Sequence, residues 1–523
     1  MSYSEAINYL YNLQKYGIKL GLDNIIRLMS VLENPHESFP SVHVAGTNGK
    51  GSTSAIIASV LKAAGLRVGL FTSPHLVSFT ERIRVNGEEI TEEEVISLTE
   101  EIREKISNFE FQYSNPPSPP LAKGSKGGFK PTFFEFVTAM AFLYFQRRKI
   151  DIAVIEVGMG GRLDATNIIV PEVSVITDIS YDHREFLGDT LIEIANEKAC
   201  IIKDGIPVVI SSQFPEVLEV IEAKAEEKNT KVYLYGRDFS SVLKKEDISG
   251  IYFDYWGGDL FTIHDLPRSC AQGRGLHLPL IGAHQMQNAS VAIKAIELIN
   301  ERRQIPPCPP LLKGGMGGLK TLHSSLFFLH SIREGLKNVK WPGRLEIINE
   351  EPPILIDGAH NPAAAVALSN ALVKNFLGRY KSIILVLGIM GDKDIKGIMK
   401  PLLPLASEII LTSPGYERAA SPAKLADIAA ALGFSDVRVA LTVKDAIEMA
   451  IKIGQHSAVS TQQSNPPLPP FNSPLSKGGY RGVKGGCWGI NNSSLILVTG
   501  SFYTIGEAKE ALGQKGVLGR LRE

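Results

Sequence analysis

The chain has 523 residues, of which 44% are hydrophobic, and it carries 55 lysine and arginine residues against 55 aspartate and glutamate residues. This length is too great for one ordinary domain and suits two, each with enough apolar residues for its own core. Because the net charge is zero, no overall field would attract nucleic acid or an anionic membrane, so we expect small molecules as partners.

The cysteines and the apolar runs indicate the cellular compartment of the protein. The cysteines at 200, 270, 308 and 487 lack the spacing of a metal site or a CxxC motif, and the start MSYSEAINYL lacks the apolar core of a secretion signal. No apolar run approaches the roughly 18 residues needed to cross a bilayer. We therefore expect a cytoplasmic protein without a membrane partner, and we expect it to be a monomer.

From Ser41 onward, short runs rich in β-branched residues alternate with helical patterns, and the first runs are SVHVAG, VGLFTS, DIAVIEVG, VSVITDIS and IPVVIS. This alternation predicts an α/β fold with a mostly parallel, doubly wound sheet, as in P-loop ATPases. Closely spaced strand patterns after Lys231 predict an antiparallel excursion. A second alternating series from Trp341 predicts a smaller, Rossmann-like α/β domain at the C-terminus.

These patterns divide the chain into an ATP-binding domain over 1–300, an insertion and linker over 301–340, and a C-terminal domain over 341–523. Three similar low-complexity segments interrupt them, near 114–131, 305–320 and 464–487. Each joins closely spaced prolines to lysine and glycine pairs. Such a composition buries too little apolar surface to offset chain entropy, so we expect surface insertions. A polyproline ligand for an SH3-type partner is the alternative.

The segment AGTNGKGSTSA, residues 45–55, follows an apolar strand and opens a helix of small residues. Its glycines would let backbone N–H groups close on phosphate oxygens at a helix N-terminus. Lys50 would add a charge to the β and γ phosphates, and Ser52 would face a magnesium ion. The spacing departs from GxxxxGK[ST] because Gly51 separates the lysine from the hydroxyl. A chance glycine-rich turn is the alternative.

Polar residues also follow three predicted strands of the same sheet: Ser73, Glu156 and His183. Ligands of open α/β sheets bind outside the carboxyl ends of the strands, so we expect these side chains at the same edge as the phosphate loop. Together they would surround magnesium. Taken singly, they would be a turn residue, a partnered strand-end charge and a loop histidine.

Lys198 lies in IEIANEKACIIK, a helical pattern with an apolar face. The simplest interpretation is a lysine that extends to solvent or pairs with Glu197. If the amine is instead partly buried, its pKa falls, and the neutral form can react with carbon dioxide.

Motifs along nearly the whole chain outside the insertions resemble folylpolyglutamate synthase, a family that shares its ATP-binding core with the Mur ligases. The motifs are AGTNGKGS, TSPHL, TFFEFVTAMAF, EVGMGGRLDATN, DHREFLGDT, EKACI, GAHQMQNA, WPGRLE, DGAHNP and GSFYTIGE. Mur ligases carry a nucleotide-sugar-binding domain before the phosphate loop, and residues 1–40 are too few for one.

The resemblance implies an ATP-dependent acid–amino-acid ligase that adds L-glutamate to folate or its polyglutamates through an acyl phosphate. It also implies magnesium, with two ions, and ATP as co-substrate. The bacterial-looking pattern that includes LDATN further predicts addition of glutamate to dihydropteroate, which makes dihydrofolate. A monofunctional folylpolyglutamate synthase and a Mur-type amino-acid ligase are the alternatives within this chemistry. A P-loop kinase or GTPase and an enzymatically silent nucleotide-binding module are alternatives from other classes.

The resemblance also implies roles for particular residues. The ATP site would contain Asn48, Gly49, Lys50, Gly51, Ser52, Asn288, Arg344, Asp357 and His360. The metal site would contain Ser73, Glu156 and His183. The pterin would lie near Gly21, Leu22, Asp23, Asn24, Thr132, Phe133, Phe134, Glu135, Leu163, Asp164 and Ala165. Lys50, His183 and Lys198 would act in catalysis, with Lys198 carbamylated. Asn361 before Pro362 is typical of a helix N-cap, so we leave it out of the site.

Overall fold

The computed structural model describes residues 1–16, 21–114, 130–257, 261–262, 275–303, 320–459 and 493–513. The three predicted insertions lie outside these ranges except at their ends. Within the described ranges, no helix combines the length and the apolar character that crossing a membrane requires.

The first sheet contains eight strands. They are β1 (Ser41–Ala45), β2 (Val68–Phe71), β3 (Ile83–Val85), β4 (Glu88–Glu89), β5 (Ile152–Glu156), β6 (Val173–Ile176), β7 (Val208–Ile210) and β8 (Val232–Leu234). Their order is β4-β3-β2-β5-β1-β6-β7-β8. All neighbours from β2 to β8 are parallel, whereas β3 and β4 add an antiparallel edge. This arrangement confirms the predicted parallel sheet.

Helices cover both faces of this sheet. They are α1 (Tyr3–Asn12), α2 (Asp23–Val31), α3 (Lys50–Ala63), α4 (Glu92–Ser114), α5 (Phe133–Arg147), α6 (Arg184–Leu187), α7 (Leu191–Ala199), α8 (Pro215–Glu227), α9 (His284–Arg303) and α10 (Lys320–Lys337). The position of β5 between two layers of helices explains why its sequence is apolar throughout. Ile152 and Val154 join the core cluster with residues of α3 and α9, while Ala153 and Ile155 join the cluster with α5. Because successive side chains point to opposite faces, a strand covered on both sides has no polar face.

The predicted antiparallel excursion is also present. It consists of β9 (Phe239–Asp247), β10 (Gly250–Gly257), β11 (Phe261–Thr262) and β12 (Leu276–Leu278). All their pairings are antiparallel. Ile251 and Phe253 of β10 pack into the same core cluster as Ala292 and Ile296 of α9. The small sheet therefore extends the core of the first sheet through α9.

The C-terminal unit has its own sheet of six strands, in the order β13-β14-β18-β15-β16-β17. The strands are β13 (Glu346–Glu350), β14 (Pro353–Ile356), β15 (Ile383–Leu387), β16 (Glu408–Leu411), β17 (Arg438–Val439) and β18 (Leu495–Thr499). The helices are α11 (Pro362–Asn375), α12 (Ile395–Leu402), α13 (Pro422–Ala431), α14 (Val443–Val459) and α15 (Phe502–Ala511). Only β13 is antiparallel to its neighbour. The predicted second α/β unit is confirmed, and its core lies on both faces of the sheet.

The predicted domain limits stay a prediction, but the packing of α10 bears on the segment expected to be a linker. The Ser59 hydroxyl of α3 donates to the carbonyl oxygen of Gly335 at 2.7 Å. Ile332 and Leu336 lie in the core cluster of the first sheet. An added Cβ at Gly335 would lie 2.4 Å from the Cα of Val60, so the glycine allows the close approach of the two helices. The C-terminal half of α10 therefore packs as part of the first unit.

Candidate active site

The loop between β1 and α3 is held by hydrogen bonds of its own residues and by close contact with the segment that follows β6. Gly46 has φ +145°, and an added Cβ there would lie 1.9 Å from the hydroxyl oxygen of Thr177, so a side chain does not fit. The ammonium of Lys50 donates to the carbonyl oxygens of Gly46 and Thr47 at 3.1 and 3.3 Å. Asn48 donates to the Asp178 carboxylate at 3.1 Å. The loop therefore has a defined shape, with the first turn of α3 behind it.

Two residues from outside the loop pack tightly against its glycines. An added Cβ at Gly49 would lie 2.4 Å from Oδ1 of Asn288, which belongs to α9. An added Cβ at Gly51 would lie 2.6 Å from the indole ring of Trp341, which precedes the C-terminal unit. Gly51 interrupts the usual lysine–hydroxyl spacing, and this contact gives a physical reason for a glycine there. The structure thus brings Asn288 to the phosphate loop.

The C-terminal unit contacts the first unit through Asp182. Lys393 donates to Oδ1 of Asp182 at 2.5 Å, and Nε2 of His360 lies 3.5 Å from Oδ2. Although burial acts to raise the pKa of Asp182, the hydrogen bond from His360 and the charges of His360, His183 and Lys393 hold it well below its usual range. Asp182 is therefore a buried anion at the boundary between the two units.

The sequence interpretation missed Asp182 and Lys393 and left out Asn361. Asn361 does cap α11, because its Oδ1 accepts from the backbone N–H of Ala364 at 2.9 Å. Its Nδ2 also donates to Oδ1 of Asn48 at 2.9 Å, so the cap reaches the phosphate loop. The signals were the aspartate directly before His183 and the GDKD segment that follows β15.

Arg344, Asp357 and His360 lie together on the C-terminal side. The carboxylate of Asp357 accepts backbone N–H groups of Leu345 and Ala359 at 3.0 and 2.9 Å, which fixes the turns on either side of β14. The Arg344 guanidinium lies 4.9 Å from the centre of the Phe502 ring. Burial lowers the pKa of Arg344, and the charges of Asp357 and of Glu156 in the first unit oppose that shift. Arg344 therefore faces the first unit.

The three predicted metal ligands are only partly brought together. Oε2 of Glu156 accepts the backbone N–H of Ser73 at 3.2 Å. His183 has its polar contact with Asp182, at 3.7 Å, and 39% of its side chain is exposed. The parts of the chain that the structure describes contain no group of three or more His, Cys, Asp or Glu side chains arranged to hold a metal. Ser73 and Glu156 therefore adjoin, while His183 lies beside Asp182.

Glu156 nevertheless fits a cation ligand. It is 3% exposed, and burial raises its pKa to about 7, against the charge of Lys50 and the hydrogen bond from Ser73. A buried carboxylate with so little hydrogen-bond support is stabilised by a bound cation. A divalent ion would therefore favour the ionised form of this side chain.

Lys198 is buried in α7, with 4% of its surface exposed. Its ammonium donates to the carbonyl oxygen of Gly46 at 2.8 Å. It does not pair with Glu197, which binds Arg162 at 2.9 Å instead. Burial, assisted by the charge of Lys50, lowers the pKa of Lys198 to about 7. A large fraction of this amine is therefore neutral near neutral pH.

The three segments predicted to bind the pterin lie around α5. The helices α2 and α5 and the 3-10 turn over Ala165–Ile168 pack against one another. The side chains of Thr132 and Glu135 form a capping box at the start of α5. Asp164 accepts from the backbone N–H of Met159 at 2.9 Å and from the Thr166 hydroxyl at 2.5 Å. These polar groups are engaged within the fold, so the aromatic rings remain as contact surface.

Those rings are Phe133 and Phe134, and both are partly exposed. Phe133 stacks on Tyr11 with ring centres 5.4 Å apart and planes 13° from parallel. Phe134 lies against Gly158, where an added Cβ would be 2.5 Å from its ring. Partly exposed, stacked aromatic side chains offer a surface for a flat heterocycle.

Comparisons with known proteins match both units of the chain. The Mur ligase middle domain matches residues 130–296, and the Mur ligase glutamate ligase domain matches residues 343–459. The dihydrofolate synthase/folylpolyglutamate synthase of Bacillus subtilis is 35% identical over 428 residues, covering 82% of this chain and 88% of the relative.

Solved structures are similar over almost the whole chain. The folylpolyglutamate synthase of Mycobacterium tuberculosis complexed with ADP superposes with a TM-score of 0.78 at 29% identity, covering 98% of this chain and 100% of that one. A folylpolyglutamate synthase complexed with AMPPCP and folate superposes with a TM-score of 0.71 at 29% identity, with the same coverage.

Proposed function

Because this chain belongs to the family of the dihydrofolate and folylpolyglutamate synthases, ATP-dependent ligases with Mur ligase domains, we propose that it joins L-glutamate to folate and to folate polyglutamates. We propose that it also joins glutamate to dihydropteroate. ATP is cleaved to ADP and phosphate in either reaction. A monomeric state and a cytoplasmic location stay predictions.

The observation that carries the proposal is the position of the phosphate loop at the boundary between the two units. Lys50 belongs to the first unit and Arg344 to the second, and the charges of both act on Glu156. Asn48 and Asn361 join the two sides at 2.9 Å. A nucleotide on this loop would therefore meet cationic side chains from both units, which supports ATP binding between them.

A carboxylate is a poor acylating agent because its leaving group would be an oxide ion. In the proposed reaction, a carboxylate oxygen of folate attacks the γ-phosphorus of ATP, and the bond to the β-phosphate oxygen breaks. Lys50 and Arg344 offset the negative charge of the transferred group. The amine of glutamate then attacks the acyl carbon, phosphate leaves, and the nitrogen loses a proton. We assign no general base to that step.

Magnesium would be held by Glu156 and Ser73, and it would supply positive charge next to the phosphates. The role of His183 as a third ligand stays a prediction. Lys198 would carry a carbamate, formed when its neutral amine attacks carbon dioxide and loses a proton. The burial of Lys198 and its lowered pKa support this modification. The carbamate would place a carboxylate near the phosphate loop and a second magnesium ion.

The test is ADP release from ATP, measured with glutamate and either tetrahydrofolate or dihydropteroate. We expect ADP release to require both glutamate and an acceptor, and mass spectrometry to detect one added glutamyl residue for each ADP. If glutamate-dependent ADP release occurs with tetrahydrofolate but not with dihydropteroate, the enzyme is the monofunctional folylpolyglutamate synthase. ADP release that glutamate does not change, without a glutamylated product, would refute the proposal.

A further inference from the structure

Arg82 is a buried arginine of the first unit that lies beside the predicted pterin surface. Arg82 ends the 3-10 helix Phe79–Arg82 ahead of β3, and it is 7% exposed. Among the described residues its guanidinium forms no ion pair, and its one hydrogen bond runs from Nε to Nδ1 of His75 at 2.8 Å. The neighbouring Glu81 is engaged elsewhere, because its carboxylate accepts backbone N–H groups, among them that of Leu76 at 2.8 Å.

An arginine keeps its charge in proteins, so burying it without an anion is costly. The terminal nitrogens Nη1 and Nη2 have no hydrogen-bond partner among the described residues. They carry four N–H donors in a planar fork, which matches the two oxygens of a carboxylate. Arg82 therefore has the chemistry of an anion site that the fold itself does not fill.

Tyr11 supplies a further donor beside it. Because Nδ1 of His75 accepts from Arg82, the proton of the neutral imidazole lies on Nε2. Nε2 is 3.1 Å from the Tyr11 hydroxyl oxygen, so the histidine donates to it. The hydroxyl hydrogen of Tyr11 is then free for a ligand. Arg82 and Tyr11 thus present donors without an acceptor.

The site adjoins both the predicted pterin surface and the C-terminal unit. The Phe133 ring stacks on Tyr11, and its centre is 5.4 Å from Cζ of Arg82. Tyr503 of the C-terminal unit stacks on Tyr416 with ring centres 4.5 Å apart. Burial lowers the pKa of Arg82, and Tyr503 lies near enough to oppose that shift. A ligand of Arg82 would therefore lie between the aromatic surface and the second unit.

We propose that Arg82 and Tyr11 bind a carboxylate group that is not the one activated by ATP. This inference rests on the proposed function. Glutamate must keep its amine free to react, so its carboxylates are the groups by which a protein can hold it. Folate also carries an α-carboxylate beside the γ-carboxylate that reacts, whereas dihydropteroate has no such group. Both sources present the same chemistry to Arg82.

The test measures KM for glutamate, tetrahydrofolate, dihydropteroate and ATP in Arg82→Met, Arg82→Lys and Tyr11→Phe. Hydrogen bonds to a charged group contribute about 1.5–3 kcal/mol, so Arg82→Met should raise KM for the carboxylate ligand at least about tenfold. Arg82→Lys should recover part of this loss, and Tyr11→Phe should show a smaller rise. KM for ATP should stay within about twofold.

The substrate whose KM rises identifies the source of the carboxylate. A rise for glutamate with either acceptor indicates the incoming amino acid. A rise for tetrahydrofolate but not for dihydropteroate indicates the α-carboxylate of folate, and Arg82 would then select for folates over dihydropteroate. If dihydropteroate is not a substrate, the values for glutamate and tetrahydrofolate still separate the two sources.

Matched controls are Arg67→Met and Tyr144→Phe, whose polar atoms bind the Arg148 carbonyl oxygen and Glu94 at the end of α5 opposite to Phe133. Both should keep every KM of the wild type. Wild-type KM values for glutamate and tetrahydrofolate in folded Arg82→Met would overturn the inference while leaving the ligase proposal intact. If Arg82→Met does not fold, Tyr11→Phe decides by the same criterion. A wild-type protein without glutamate-dependent ADP release would instead refute the proposed function.

Discussion

The ammonium groups of Lys50 and Lys198 donate to the same backbone oxygen, that of Gly46, at 3.1 and 2.8 Å. One lysine belongs to the phosphate loop and the other to α7, and Gly46 joins them. Two cations that share one acceptor repel each other, so the charge of Lys50 adds to the effect of burial in lowering the pKa of Lys198.

Lys50→Ala should abolish glutamate-dependent ADP formation and leave the protein folded. The substitution removes a charge from the phosphate site without opening the core. The measurements are ADP release and thermal unfolding. Lys62→Ala, on the same helix but exposed, is the matched control and should keep full activity. Near-normal turnover in Lys50→Ala would contradict the nucleotide assignment.

Lys198 should take up carbon dioxide, and the extent should rise with pH. Its pKa is lowered to about 7 in the folded protein, so the neutral amine that reacts is the minor form below that pH and the major form above it. Protein incubated with ¹³C-bicarbonate should show a carbamate resonance that strengthens as the pH passes about 7.

The same label should be absent from Lys198→Ala. That variant should be inactive, and a short carboxylic acid that fills the gap should partly restore its rate. Full activity of Lys198→Ala, together with density that ends at Nζ in crystals of the active enzyme, would refute the modification.

Glu156→Gln should weaken the response to magnesium as well as the rate. The change replaces an anionic ligand with a neutral one of the same shape, so the concentration of magnesium that gives half-maximal activity should increase. A magnesium titration of ADP release checks this. Glu185→Gln, an exposed glutamate in α6, serves as the control and should titrate as the wild type does. An unchanged curve for Glu156→Gln would remove Glu156 from the metal site.

Substitutions of Lys393 and Asp182 should have strongly non-additive effects in a double-mutant cycle. Lys393→Met and Asp182→Asn each break the same buried ion pair between the two units. The double variant should therefore lose little more kcat/KM for ATP than either single variant. We expect a coupling energy of about 2 kcal/mol or more in kcat/KM for ATP. The exposed Lys400→Met is the control. Additive effects of the two changes would show that the pair does not act across the boundary.

Much of the fold could be predicted because its signals are local. Apolar runs that alternate with helical patterns predict the parallel sheet, and β1, the glycine-rich loop and α3 are neighbours in the chain. The cap at Asn361 is equally local, since its oxygen binds a backbone N–H three residues away. Such features depend on nearby residues and on the periods of helices and strands.

The composition of the site depended on contacts between distant residues. Lys393 meets Asp182 and Asn361 meets Asn48 across sequence separations of 211 and 313 residues. The sequence placed His183 with Glu156 by strand-end position, but the chain turns at His183, where φ is +50°, and its contact is with Asp182. Strand order brings residues to one edge of a sheet, yet only the packing of the two units decides which side chains meet there and which charges lose water. The sequence therefore determined the family and the two α/β units, whereas the tertiary structure decided that Lys198 is buried and that Arg82 has no anionic partner among the described residues.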